Sequence, residues 1–199
     1  MGYGAMAYTV DLDRLRAEIG SGDRESAERY SATFTEHNKY LQDMIDDAIG
    51  DEGSVTVADV ARHMILGEPC DERIGFAYGY FLKHLCETHG TFEDNYGWMP
   101  VPVDFPQRLD DYLAGQGLLA DGFTVTDLVF GGSPVPLPRI DDFPGIGYRE
   151  FGTLTEPAEK LSWAGRIDMP EEFSQAVYET FQWLAQADSN KRSVVVFFH

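Results

Sequence analysis

Residues 131–147, GGSPVPLPRIDDFPGIG, hold four prolines and four glycines in seventeen positions. Proline has no backbone N–H and a fixed φ, so this stretch can continue neither a helix nor a central strand. It divides the chain, and regular structure must be built on either side of it. An irregular segment of this length inside a compact domain is either functional or packed as an extended polyproline strip across a surface.

On the N-terminal side, residues 4–10, GAMAYTV, read as a first strand. A short helix follows from Asp11, its N-cap, to about Ile19, and Gly20 and Gly22 stop it. Ser21 or Asp23 opens a long helix closed by Gly50. Its apolar residues Ala27, Tyr30, Phe34, Leu41, Met44 and Ala48 step by three and four, and His37 falls on the same stripe. Thr56-x-x-Asp59 forms a capping box for the next helix, which Gly67 and Pro69 end. An aromatic helix spans about 71–89 with Ile74, Tyr78, Phe81, Leu82 and Leu85 on one side. Gly75 and Gly79, four apart, permit close packing against it. Asp104 begins a short helix to about Ala114. FTVTDLVF, residues 123–130, fits either a strand or a helix capped by Thr124.

Beyond the proline-rich segment, a strand is expected near Tyr148–Leu154. A last helix starts at about Asp168, its cap, with Phe173, Val177, Phe181 and Leu184 inward. The closing SVVVFF has the β-branched and aromatic content of a buried strand. The expected fold is a single α+β domain over 1–199. About five helices would pack on a small mixed or antiparallel sheet that includes the N- and C-terminal strands. No βαβ alternation or glycine-rich phosphate loop is present in the sequence.

With 43% apolar and 13% aromatic residues, 199 residues can bury a sizeable core. The apolar runs fall short of a membrane span, and the first residues lack a basic leader region, so a soluble, untargeted, cytoplasmic protein is expected. Cys70 and Cys86, the only cysteines, read as free thiols of a reducing compartment. A net charge of −19 repels nucleic acid backbones and anionic membranes. It favours a basic protein, a cationic small molecule, or merely solvation in an acid-rich proteome. The charge is uneven. Residues 43–72 carry nine acidic side chains against one basic, Arg62, a balance of −8.

That focus begins in LQDMIDDAIGDEG, residues 41–53. Asp43, Asp46, Asp47, Asp51 and Glu52 crowd a helix terminus where unpaired carbonyls already make the potential negative. The aromatic helix obeys the opposite rule, with Asp71 and Glu72 first and Lys83, His84 and His89 last. Asp43, Asp46 and Asp47 share a helix face, but their spacing is not that of a calcium loop. His84, Cys86, Glu87 and His89 lie within six residues, but a helix scatters His84, Cys86 and His89 around its axis, so no metal site is expected, and no cofactor either. No nucleophile elbow occurs. Acid/base chemistry, if present, would use Asp141, Asp142 or His37.

Tyr8-x-Val10-Asp11-Leu12 with Gly20-Ser21-Gly22-Asp23, Pro136-Leu137-Pro138 before Asp141-Asp142-Phe143-Pro144, and the terminal Val195-Val196-Phe197 carry a resemblance. The chain resembles an uncharacterised family of bacterial cytosolic proteins of about this size. The resemblance implies a bacterial cytosolic domain and carries over neither activity nor site residues. Such families often include proteins that neutralise toxins.

Two functional expectations follow. The first is an acidic interaction protein that binds a basic protein partner through Asp43, Asp46, Asp47, Asp51 and Glu52, as a toxin-neutralising, immunity-type inhibitor would. The second is a small cofactor-independent enzyme with an acid/base pocket beside residues 131–147. Oligomeric state is left open by the sequence.

Overall fold

The computed structural model describes residues 2–50 and 54–199. Its sheet is built from strands β1 (Ala5–Val10), β2 (Thr91–Phe92), β3 (Gly145–Arg149) and β4 (Ser193–Phe198), in the order β2-β1-β4-β3 and antiparallel throughout. The terminal strands are the central pair, in register from Ala5 opposite Phe198 to Val10 opposite Ser193. Every residue of β4 is buried, which is why VVVFF, after the buried Ser193, is continuously apolar rather than alternating.

The helices are α1 (Leu12–Glu18), α2 (Arg24–His37), α3 (Tyr40–Ile49), α4 (Val57–Leu66), α5 (Gly75–His89), α6 (Phe105–Gly115), α7 (Val125–Phe130), α8 (Thr155–Ser162) and α9 (Glu171–Ser189). The fold is α+β, and of the mixed or antiparallel sheet left open by the sequence it is the antiparallel one, terminal strands included, but the expectation of about five helices is corrected: the described residues form nine. The excess arises at three places. The long helix expected over 23–50 breaks at Asn38 and Lys39, where the Asn38 backbone N–H and side-chain amide both donate to the Phe34 carbonyl. FTVTDLVF becomes α7. Thr155–Ser162, for which no helix was expected, becomes α8.

The chain gathers into two compact units. One comprises Met1–Leu12, His89–Pro134 and Gly145–His199, and the other Asp13–Thr88 and Val135–Pro144. The first contains the whole sheet with α6 to α9. There, Asp110 on α6 is buried and accepts from the backbone N–H groups of Val125 and Thr126 at 2.6 and 2.8 Å, while Thr124 accepts from Asp127. Orphan donors of the first turn of α7 are thus satisfied from within and from a neighbouring helix, which decides for helix over strand. Gly147 lies where a Cβ would stand 2.2 Å from the Leu128 carbonyl oxygen, so α7 rests on the backbone of β3. This edge strand begins at Gly145, three residues before its expected start. Helix α9 starts at Glu171 with Pro170 at its cap position, in place of Asp168.

The second unit holds α2 to α4, all but the last residue of α5, most of α1, and residues 135–144 of the proline-rich segment. Tyr30, Phe34, Phe81 and Leu85 are fully buried there, with Phe34 and Phe81 edge to face at 5.1 Å. Asp23 caps α2, and Thr56 and Asp59 form the reciprocal capping box of α4, ended by Gly67 in the left-handed conformation. Thr56→Ala removes one half of that box and is expected to cost about 1 kcal/mol in chemical denaturation, with no change in m-value.

Candidate functional site

Once the chain breaks at Asn38, the inward stripe of α3 is Leu41, Ile45 and Ile49, all buried. At about 100° per residue, the opposite side of the helix is centred on Asp43 and Asp47. Tyr40 and Met44 lie along one flank of these carboxylates, 53% and 43% exposed, and Asp46 lies along the other. Met44 and Ala48 were expected inward with the Tyr30 and Phe34 stripe. Both are exposed, because the break re-phases the helix.

Asp46 accepts from the Gln42 side chain at 2.8 Å, and the same amide group bridges to Val55 and Val57 at the start of α4. Asp43 and Asp47 have neither a hydrogen bond nor an ion pair from their carboxylates among the described residues. Asp51 and Glu52, the other two acids of the expected cluster, lie outside the described residues.

Asp141 and Asp142 are exposed, and Asp141 pairs with Arg139 at 2.6 Å in an ion pair open to solvent. His37 is exposed in the last turn of α2, its ring 6.0 Å from that of His84. The three candidate acid/base groups thus sit at the surface. Beneath Asp141 and Asp142 the segment lies directly on α5. A Cβ at Gly75 would stand 2.0 Å from the Arg139 carbonyl oxygen, and one at Gly79 would stand 2.8 Å from Ile140 Cδ1. Val135, Pro138 and Pro144 are buried in that packing.

Two tyrosines connect the acids that the sequence had divided between rival readings. Tyr40 at the start of α3 meets Tyr80 of α5 edge to face, with ring centroids 6.4 Å apart. Partial burial raises the Tyr40 hydroxyl above its ordinary range, and the charge of Glu87 adds to this. Burial pushes Tyr80 up to about 12, with further contributions from Tyr40 and Asp142. Glu87, itself paired with Lys83 at 2.6 Å, and Asp142 thus add negative potential at the aromatic pair that borders the α3 carboxylates. Sequence reasoning did not single out Tyr40 or Tyr80, and it weighed Glu87 only as a metal ligand beside His84, Cys86 and His89. The available signal was the step of four from Leu41 to Ile45 to Ile49, which turns Tyr40 outward.

The remaining reactive side chains are engaged. His84 is buried with Nε2 3.0 Å from Thr33 Oγ1, and Cys86 is fully buried, which raises its thiol. Cys70 is half-exposed, and burial raises its thiol as well. Tyr78 holds that loop in place, accepting the Asp71 backbone N–H at 2.9 Å and lying 2.8 Å from His63 Nδ1. Among the described residues, no three His, Cys, Asp or Glu side chains are grouped to hold a metal ion. No helix among them is long and apolar enough to cross a membrane.

Comparison with known proteins places the chain in one family. The model of a family described as "Domain of unknown function (DUF7691)" matches residues 1–199. No curated protein and no solved structure matches the chain.

Proposed function

The chain belongs to the DUF7691 family, which brings no activity with it, and we propose from its own surface chemistry that it binds a basic protein. The contact face is that of α3, with Asp43 and Asp47 as charges, Tyr40 and Met44 as apolar anchors, and Asp46, Glu87 and Asp142 at the rim. In a bacterial cytoplasm such a protein would serve as a toxin-neutralising or immunity-type inhibitor. One observation carries the reading: two exposed carboxylates, with no partner among the described residues, lie beside two exposed apolar side chains on one helix face. Carboxylates so placed steer a cationic surface by long-range attraction, and the aromatic and thioether groups supply the short-range contact.

The arrangement costs stability, which argues for use. Asp46 and Asp47 stand in the last turns of α3, where no basic residue offsets the dipole. Each carboxylate there is worth roughly 0.3–1 kcal/mol against the helix, and the Asp43–Asp47 pair at i, i+4 adds repulsion of a few tenths. Asp43 in the first turn is favoured by the dipole, which offsets part of this cost, so a variant with Asp43→Asn, Asp46→Asn and Asp47→Asn is expected to fold about as stably as the parent. Affinity capture from cells of the source organism, run in parallel with both proteins at low and high salt, tests the proposal. The expected result is a basic protein that the parent retains and the variant loses, with a shallower salt dependence for any residual binding. Equal recovery of the same partner by both proteins would refute the acidic face.

A further inference from the structure

We propose that the unit containing the sheet carries a second, separate site: a cavity for a small organic cation, an amine on an apolar aromatic body. The cavity lies between α8, the turn Trp163–Arg166 and α9, and holds about 600 Å³. That is within the usual range of small-ligand sites, which combine an apolar lining with a few placed polar groups. Leu161 and Ile167 on one side and Val177 and Phe181 of α9 on the other supply the apolar walls.

Asp168 is the one charged side chain in the lining. Its backbone carbonyl accepts from the Tyr112 hydroxyl at 3.2 Å, which anchors the main chain there, but its carboxylate has no hydrogen bond or ion pair among the described residues. The nearby Arg166 does not neutralise it. That guanidinium lies over the Trp163 ring at 3.9 Å, and both side chains line an adjoining cavity instead. Tyr178, 57% exposed, also borders the Asp168 cavity. A lone carboxylate and the Tyr178 ring border a hollow whose apolar walls are interrupted by Ser162, Ser174 and Gln175, and together they complement an ammonium group on an apolar body, through charge and through cation–π attraction. The net charge of −19 raises the local concentration of such a cation and opposes an anion of the same shape.

Three probes of one shape separate the contributions: tryptamine, its uncharged analogue tryptophol, and the anion indole-3-acetate. Their binding is followed by saturation-transfer NMR on the probe. Tryptamine is expected to bind with a Kd on the order of 1 mM or tighter, and tryptophol about tenfold more weakly. Indole-3-acetate is expected not to bind. Asp168→Asn should bring tryptamine to the tryptophol level, and Tyr178→Leu should weaken it about fivefold. Both changes are at exposed side chains, and a thermal unfolding curve for each variant confirms the fold. If tryptamine binds parent and both variants alike, its attraction is diffuse and the site is refuted. Tryptophol binding as tightly as tryptamine, or no tryptamine binding at about 10 mM, refutes it equally.

Discussion

Gly75→Ala is expected to destabilise the unit formed by residues 13–88 and 135–144 by about 3 kcal/mol, although alanine is the better helix former. The added Cβ would stand 2.0 Å from the carbonyl oxygen of Arg139 and 2.8 Å from its carbon. Both are backbone atoms, so no side chain can turn aside. Either α5 shifts or the proline-rich segment lifts, and the buried contacts of Pro138 and Pro144 are lost with it. Gly79→Ala is the control. Its Cβ meets the Ile140 Cδ1 end of a side chain at 2.8 Å and Pro144 Cγ at 3.0 Å. The isoleucine can re-orient, and the roughly 1 kcal/mol gain in helix propensity offsets part of the strain. Gly79→Ala should therefore fall within about 1 kcal/mol of the parent. Urea denaturation of the three proteins checks both expectations through the midpoint. A Gly75→Ala midpoint equal to the parent's would show that the segment does not rest on α5 as described.

The same two glycines show what a sequence makes legible. Their spacing announces a close approach but not what approaches, because the partner lies some sixty residues away in a segment with no periodicity of its own. Local signals read well. The capping box at Thr56 and Asp59, the cap at Asp23 and the two terminal strands each depend on neighbouring residues or on unbroken apolar content. Signals that depend on distant residues did not. The strand-like composition of Val125–Phe130 is overridden by Asp110, fifteen residues upstream of Val125. On α3 a two-residue interruption at Asn38 and Lys39 shifts the apolar phase, so the expected inward positions of Met44 and Ala48 are wrong although the carboxylates beside them are legible. Helix α8 carried usable local marks, with Glu156 and Pro157 in its first turn and Lys160 in its last, and these were passed over. The nearness of Asp142 to Tyr80 and of Glu87 to Tyr40 is purely tertiary, and no one-dimensional pattern encodes it.

Trp98→Ala is expected to cost about 3–5 kcal/mol in the sheet-containing unit. Trp98 is fully buried at the end of a 3-10 turn, Tyr96–Trp98, with its ring 5.4 Å from Phe105 and 5.6 Å from Trp183. Its indole N–H is 3.2 Å from both the Ala176 carbonyl and Thr180 Oγ1 on α9. Beside it, Gly97 donates its N–H to the buried Glu179 carboxylate at 2.9 Å and leaves no room for a Cβ against the Ala176 backbone. The turn thus holds the inner side of α9 by shape and by three polar contacts. Trp98→Phe keeps most of the ring packing and loses the N–H contacts, so about 1–2 kcal/mol is expected. Far-UV circular dichroism in urea measures both losses. The inner side that Trp98 holds, through Ala176, Glu179, Thr180 and Trp183, belongs to the helix whose Val177, Tyr178 and Phe181 wall the cavity beside Asp168. Trp98→Ala should therefore also weaken tryptamine binding in conditions where the protein remains folded, whereas Trp98→Phe should not. Full tryptamine affinity in folded Trp98→Ala would mean that the cavity does not depend on how α9 is seated.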